Sequence, residues 1–372
     1  MKKVLLISFF KSTNLGDRAI GEQAVKCLSE MGIVEKMDIT GKPFVENSQT
    51  GGVSTQKSKL YNVKCVYDLL RKDRFSYAYN LIAQNDAIVF FGGNMIMDTT
   101  AIPLYSYLCW KYCHYAKKIK KRVIFAFVGV GDIKTNLEKF YWKKAIACAD
   151  FISVRDEYSK IKLEKILKIE RSIYVWYDPV FLLKNQHTDI QQKNIAINIY
   201  IGSNLPNEVQ QNLIKTYAYL IDVLQNDYNV YIYTTESMDR VMAQNIYNRF
   251  LENTNVKYFE PKNLTELVEF YSNIDVVLAT RMHAYIIATT QGIPSIIISW
   301  SDKIDGLIKQ MDESESLYSI NSVFQNKEIL GQHIISLIKN VEKKRIRMKN
   351  KLRLIQKQFI NYNNLLKEQL EL

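Results

Sequence analysis

The chain has 372 residues, enough for two ordinary domains that each bury a core. With 47% apolar and 24% charged residues it excludes a long disordered stretch, and no apolar run approaches the roughly 18–20 residues of a membrane-spanning helix. Five scattered cysteines, an odd number, argue against a disulfide framework and for reduced thiols in a cytoplasmic protein.

The opening Met-Lys-Lys-Val-Leu-Leu-Ile-Ser-Phe-Phe superficially resembles a signal peptide but lacks a small-residue cleavage site, so it reads as a first buried strand, Lys3–Phe9. That strand runs into Asn14-Leu15-Gly16-Asp17 and a helix over Asp17–Met31. Gly16 permits a tight turn or close ligand approach, Asp17 suits an N-cap, and open helix-start N–H groups can bind an anion; an ordinary strand-to-helix turn uses the same residues. No Gly-Lys-Ser/Thr follows, so the turn is not a Walker A loop, and the G-x-G-x-x-G spacing is absent. After a strand at Glu35–Thr40, Gly41–Asn62 is polar and aperiodic, a long loop of the kind that often forms a lid.

The strand Ala87–Phe91 ends on Gly92-Gly93-Asn94, and the strand Arg122–Val130 on Gly129-Val130-Gly131-Asp132. Glycine turns repeated at one sheet edge predict a floor open to ligand. Between them Cys109, Cys113 and His114 lie close together, but in an aromatic-rich helical stretch without a second ligand cluster they read as a packed helix face. No metal or cofactor is expected, since no Asp-x-Asp offers carboxylates to a divalent ion. Phe151–Val154 closes on Arg155-Asp156-Glu157, where Arg155 either pairs with a neighbouring carboxylate or captures a carboxylate or phosphate in bidentate fashion. Ile173–Trp176 is followed by Asp178-Pro179, read as a turn.

Polar Lys184–Lys193 marks the domain boundary, dividing the chain into 1–183, 194–325 and a helical basic segment, 326–372. The alternation then restarts, with strands at Ile195–Tyr200, Val230–Thr234, Val256–Phe259, Ile274–Ala279 and Ser295–Ile298. Arg281 and His283 follow the fourth of these, and Lys303 lies just past the fifth. In a parallel sheet those strand ends share one edge, so two cations and an imidazole face one crevice, a kit for holding a multiply charged anion and moving a proton. His283 is one of four histidines, with His114, His187 and His333.

The net charge of +12 is concentrated between Lys343 and Lys357, where eight Lys/Arg residues occur without an acid. As a helix, this segment would bring Ile346, Leu352, Ile355 and Phe359 near one side. Two readings stand: a solvated helix packed on the last domain, or a basic amphipathic helix making peripheral contact with an anionic membrane through 343–357. No recognition-helix, zinc-finger or stacking motif accompanies the charge, so nucleic acid is not an expected partner.

Two Rossmann-like α/β domains with parallel sheets resemble the GT-B architecture, whose active site is the interdomain cleft. The motifs, taken in order, resemble the polysaccharide pyruvyl transferase family: Asn14-x-Gly16-Asp17-x-Ala19-Ile20, Gly92-Gly93-Asn94, Gly129-x-Gly131, Ser153-Val154-Arg155-Asp156, Asp178-Pro179, Arg281-x-His283, Gly292-x-Pro294 and Lys303. The resemblance implies a transferase that takes phosphoenolpyruvate and attaches its three-carbon unit as a ketal to a sugar of a cell-surface glycan or lipid-linked precursor. It also implies that Arg155, His283 and Lys303 serve the donor; the donor's two anionic groups make Arg281 a candidate third clamp beside Arg155 and Lys303, with His283 as general acid/base. The chain departs from the family pattern at Asn94, often a third glycine, and at Asp132, often proline. The rival readings are a GT-B glycosyltransferase using a nucleotide sugar, and a non-catalytic scaffold of glycan assembly.

Overall fold

The computed structural model describes residues 1–41, 72–97, 103–133, 135–186, 192–202 and 205–371. The expected long loop therefore falls, apart from Gly41, outside the described residues, as do Cys65, His187 and the middle of the expected linker. The chain divides into two compact units. One comprises Met1–Thr13, Asp17–Pro179 and Gln358–Leu372; the other comprises Asn14–Gly16 and Val180–Lys357.

The first unit holds a six-stranded parallel sheet: β1 (Lys2–Ser8), β2 (Gly32–Asp38), β3 (Ala87–Phe91), β4 (Arg122–Val128), β5 (Phe151–Val154) and β6 (Tyr174–Val175), in the order β2-β1-β3-β4-β5-β6. Every residue of β3 and β5 is buried, because helices cover both faces of a parallel sheet and leave no room for polar alternation. β2 lies at the edge and carries half-exposed Lys36 and Glu35, charges that discourage further strand pairing. Helices α1 (Leu15–Ser29), α2 (Lys72–Gln84), α3 (Leu104–Lys118), α4 (Asn136–Ala147) and α5 (Glu157–Ile166) connect the strands. Cys109 and Cys113 are fully buried in α3, where desolvation pushes both thiols up, away from the thiolate a metal would need.

The second sheet is also parallel: β7 (Asn194–Asn198), β8 (Asn229–Tyr233), β9 (Val256–Phe259), β10 (Val276–Ala279), β11 (Ser295–Ser299) and the short edge strand β12 (Leu317–Ser319). Their order is β12-β11-β10-β7-β8-β9. Counted from β7, this is the 3-2-1-4-5-6 order of dinucleotide-binding sheets, with the reversal between β7 and β10. The first sheet reverses between β1 and β3. In open α/β sheets ligands bind beyond the carboxyl ends of the strands at that reversal, so topology selects the Gly92-Gly93 turn in one unit and Arg281 with His283 in the other.

Helices α6 (Asn207–Leu224), α7 (Arg240–Tyr247), α8 (Leu264–Tyr271), α9 (Met282–Thr290), α10 (Asp302–Gln310) and α11 (Lys327–Lys339) accompany the second sheet. The chain ends in α12 (Val341–Glu371). Its buried residues Val341, Arg345, Met348, Leu352, Ile355, Phe359, Leu366 and Leu370 follow steps of three, four and seven, one continuous inner face. Residues 341–357 group with the second unit, where Gln356 Nε2 donates to the Phe181 carbonyl (3.2 Å). Residues 358–371 group with the first, where Phe359 stacks on Phe127 and Tyr362 on Trp176. Leu352, Ile355 and Phe359 are thus core residues, whereas Ile346, expected beside them, is 61% exposed.

Candidate active site

At the reversal of the first sheet, Ser8 Oγ donates to the Phe91 carbonyl (3.0 Å), tying β1 to the strand that ends on the glycine pair. Gly92 and Gly93 both have positive φ (62° and 68°), which L side chains rarely adopt. Asp17 Oδ1 lies 3.9 Å from where a Gly93 Cβ would stand, and Asp17 Oδ2 accepts from Ser12 Oγ at 2.8 Å. The two glycine turns are stitched together: Gly129 N–H donates to Gly93 O (2.7 Å), Ile96 N–H to Gly129 O (3.2 Å), and Gly131 N–H to Ile96 O (2.8 Å). The chain reaches Gly129 through a β-bulge, where the pairing of β4 with β5 slips and buried Phe127 takes φ 56°. A bulky residue in that region is strained, and its N–H is satisfied by Ser153 Oγ (3.0 Å).

Arg155 lies flat against Gly129, whose Cβ would come within 2.9 Å of the guanidinium. It is 3% exposed; Nη1 donates to Asp178 Oδ2 (3.1 Å) and Nη2 to Asn94 Oδ1 (3.1 Å), with Asp156 Oδ2 3.6 Å from Nε. Asp178, just before the 3-10 helix Pro179–Leu182, is therefore a buried ion-pair partner. Asp156 also caps α5, accepting the Ser159 N–H (2.6 Å). Asp132 is mostly exposed and pairs with Lys162. The first unit thus brings together Asp17, Gly92, Gly93, Asn94, Gly129 and Arg155, with Gly131 in the adjoining turn.

At the reversal of the second sheet, Asn198 ends β7 and its Oδ1 accepts the N–H of Arg281 (2.9 Å), which fixes the turn between β10 and α9. Residues 14–16 complete this edge. Leu15 N–H donates to Thr235 O (3.0 Å), Asn14 Nδ2 to Glu236 Oε2 (3.1 Å), and Gly16 N–H to Asn14 Oδ1 (2.8 Å). A Cβ on Gly16 would lie 2.1 Å from His283 Nδ1, so the backbone can pass the imidazole only as glycine. His283 stands in the first turn of α9 and is 9% exposed.

Arg281 is held on three sides. Nε donates to Asp239 Oδ2 (2.8 Å), Nη1 pairs with Glu236 Oε2 (2.6 Å), and its guanidinium carbon lies 4.4 Å from the Tyr200 ring centroid. Tyr200 stacks on Trp300 (4.6 Å, 25°), and the Lys303 ammonium lies 4.8 Å over the Trp300 ring. Trp300 Nε1 in turn donates to Thr280 O (2.8 Å). This ladder links the two predicted cations, Arg281 and Lys303, through two aromatic rings that sequence reasoning did not single out. Glu236 and Asp239 were missed as well; they follow β8, and only the β7–β8 adjacency of the Rossmann order points to them.

Burial, outweighing the Arg281 charge, pushes Asp239 up from its ordinary 3.8 to about 6, and burial raises the Tyr200 hydroxyl to about 12. A carboxyl raised on folding holds its proton more tightly in the native state, so its stabilising contribution is full below 3.8 and is lost as pH rises through about 6. Chemical denaturation across that window should therefore show the stability of Asp239→Asn gaining on the wild type as pH rises. A constant difference would mean that Asp239 does not titrate there.

Among the described residues no group of three or more His, Cys, Asp or Glu could hold a metal ion, and no helix is long and apolar enough to cross a membrane. The fold resembles solved structures of sugar-handling enzymes. Alr3699/HepE from Anabaena, in complex with UDP and glucose, gives a TM-score of 0.58 at 11% identity over 100% of both chains. α,α-Trehalose 6-phosphate synthase from Burkholderia multivorans gives 0.56 at 11%, covering 100% of this chain and 98% of that one. UDP-GlcNAc 2-epimerase from Methanocaldococcus jannaschii gives 0.55 at 12%, covering 90% and 92%. At such identities the likeness is one of fold, two Rossmann-like domains of the GT-B class. No curated protein matches the sequence. The model of one family, polysaccharide pyruvyl transferase, matches residues 14–302, from the Asn14 turn through Arg281 and His283 to the first residue of α10, and the chain belongs to that family.

Proposed function

We propose that the protein transfers the pyruvyl unit of phosphoenolpyruvate, as a cyclic ketal, onto two hydroxyls of a sugar in a surface glycan or its lipid-linked precursor. The observation that carries this reading is the pairing of Arg281 with His283 at the reversal of the second sheet, with Gly16 against the imidazole and Lys303 joined through the Tyr200–Trp300 stack.

The donor carries a phosphate and a carboxylate; the clamps assigned in the second unit are Arg281 and Lys303, and Arg155 is the cation assigned in the first. Asp178 holds Arg155 so that Nη2, now on the neutral Asn94 amide, is the nitrogen an anion would take. Exchange of that amide oxygen for a charged one adds ion-pair attraction to the guanidinium's hydrogen bond. The glycine turns are packed and not the ligand-open floor expected of them: a Cβ on Gly92, Gly93, Gly129 or Gly131 would meet Ile20, Phe9, Arg155 or Met97, so these glycines serve close packing beside Arg155. His283 carries the proton: one sugar hydroxyl adds to C2 as its proton passes to C3, turning the methylene into a methyl group. The second hydroxyl then replaces phosphate at C2, and its proton leaves with the phosphate, so one diol and one phosphoenolpyruvate give one ketal and one inorganic phosphate. Because phosphoenolpyruvate is a cytoplasmic metabolite, the reading includes a cytoplasmic location.

Incubation with isotopically labelled phosphoenolpyruvate and candidate glycans, followed by mass spectrometry, tests the reaction. Labelled glycan together with released phosphate is expected. Thermal-shift screening adds a second arm: stabilisation by UDP- or GDP-sugars and not by phosphoenolpyruvate would replace the reading with nucleotide-sugar glycosyl transfer.

A further inference from the structure

The outer face of α12 has no function in the reaction just described, yet its composition is unusual for a solvated helix. Ile346, Leu354 and Ile360 are 61%, 63% and 62% exposed. At 100° per residue they fall within an arc of about 120° that also contains Lys343, Asn350, Arg353 and Lys357. Glu342, at the edge of that arc, pairs with Arg345 (3.4 Å), and no further acid occurs before Glu368. The acids that approach the helix from neighbouring elements are already engaged. Glu315 takes Lys344 (2.8 Å) and Arg347 (3.0 Å), Glu313 takes Arg347 (3.2 Å), and buried Asp275 takes Arg345 (2.8 Å). Lys343, Arg353 and Lys357 face solvent without an ion-pair partner among the described residues.

The inner apolar face is sealed in the protein core, so the outer residues are a second apolar set on the same helix. Where the outer face begins, His333, Ser336 and Asn340 join Lys343, Lys344 and Arg347 around a recess of about 330 Å³, room enough for a phosphate headgroup. Large aliphatic side chains interleaved with unneutralised cations match a surface that is both greasy and negatively charged. Nucleic acid supplies the charge but offers no hydrocarbon for three exposed aliphatic residues.

We propose that the outer face of α12, from Lys343 to Ile360, docks on an anionic lipid bilayer, with Ile346, Leu354 and Ile360 entering the acyl boundary and Lys343, Arg353 and Lys357 on the headgroups. The surface is independent of the proposed chemistry. Flotation of the full chain with vesicles tests it, comparing phosphatidylcholine alone with phosphatidylcholine containing phosphatidylserine. The wild type should float only with the anionic vesicles and be released by salt. Two triple variants, Ile346→Ser/Leu354→Ser/Ile360→Ser and Lys343→Glu/Arg353→Glu/Lys357→Glu, should each lower the bound fraction by at least about tenfold, at roughly fivefold per cation for the latter. Circular dichroism and the thermal midpoint should stay unchanged, because the substituted side chains face solvent. Failure of the wild type to float, equal flotation on neutral vesicles, or variants that float like the wild type would overturn the proposal. So would binding of duplex DNA or RNA, in place of vesicles, that the charge-reversed variant loses. Phosphate release with a soluble acceptor reads the chemistry separately, and both variants should retain it.

Discussion

His283→Ala is expected to lower pyruvyl transfer by roughly 10²–10⁴-fold, the usual contribution of a positioned acid or base, while the thermal midpoint holds. The imidazole leaves the carboxyl edge of β10 in the first turn of α9, where it can meet a substrate and where its removal opens no gap in the sheet core. Gly16→Ala makes the sharper test. Gly16 has no positive φ, so alanine suits its backbone, but the new Cβ would lie 2.1 Å from Nδ1 and the ring must move. Transfer should fall substantially although every titratable group is kept. Phosphate release from phosphoenolpyruvate, with mass spectrometry of the glycan, measures both variants. Turnover within a few-fold of wild type in His283→Ala would remove the imidazole from the proton path. Normal turnover in Gly16→Ala would show that ring position does not matter.

The sequence made the strands legible where burial is complete. β3 and β5 begin and end where the apolar runs predict, since those runs are bounded by turn residues and a covered parallel strand admits few polar side chains. β12 was missed because a three-residue edge strand with half-exposed Leu317 and Tyr318 has neither length nor alternation to betray it. Motif order placed Arg281 and His283 at a strand end. What surrounds them was not readable, because Asp239 is 42 residues from Arg281 and acquires its partner only when β8 pairs with β7. Tyr200 and Trp300 were likewise indistinguishable from the chain's other aromatic residues until stacked. The amphipathicity of α12 was visible, but its direction was not: a helix with apolar residues on two sides does not announce which side is buried, and Ile346 lies on the opposite side from Leu352, Ile355 and Phe359.

Arg345→Met should destabilise the second unit by about 3–5 kcal/mol, the cost of leaving a buried charge without its partner. Arg345 and Asp275 are each 1% exposed, and Nη2 stands 2.8 Å from Oδ1. The other carboxylate oxygen accepts the N–H groups of Gln192 (2.9 Å) and Asn194 (3.0 Å), where the chain enters β7. One carboxylate thus joins α12 to the amino ends of β7 and β10, and methionine would fill the space of the arginine without neutralising it. Adding Asp275→Asn should recover part of the loss, because the amide oxygen can still accept a hydrogen bond while no charge is stranded. Lys344→Met provides the exposed control: its partner Glu315 has a side chain 48% exposed, and the pair should be worth no more than about 1 kcal/mol. Because the chain has two units, denaturant unfolding should be followed with a probe confined to the second, so that its transition is read alone. If Arg345→Met cost no more than Lys344→Met, water would have to reach Asp275 in the variant, and the helix would be held by its apolar face rather than by this ion pair.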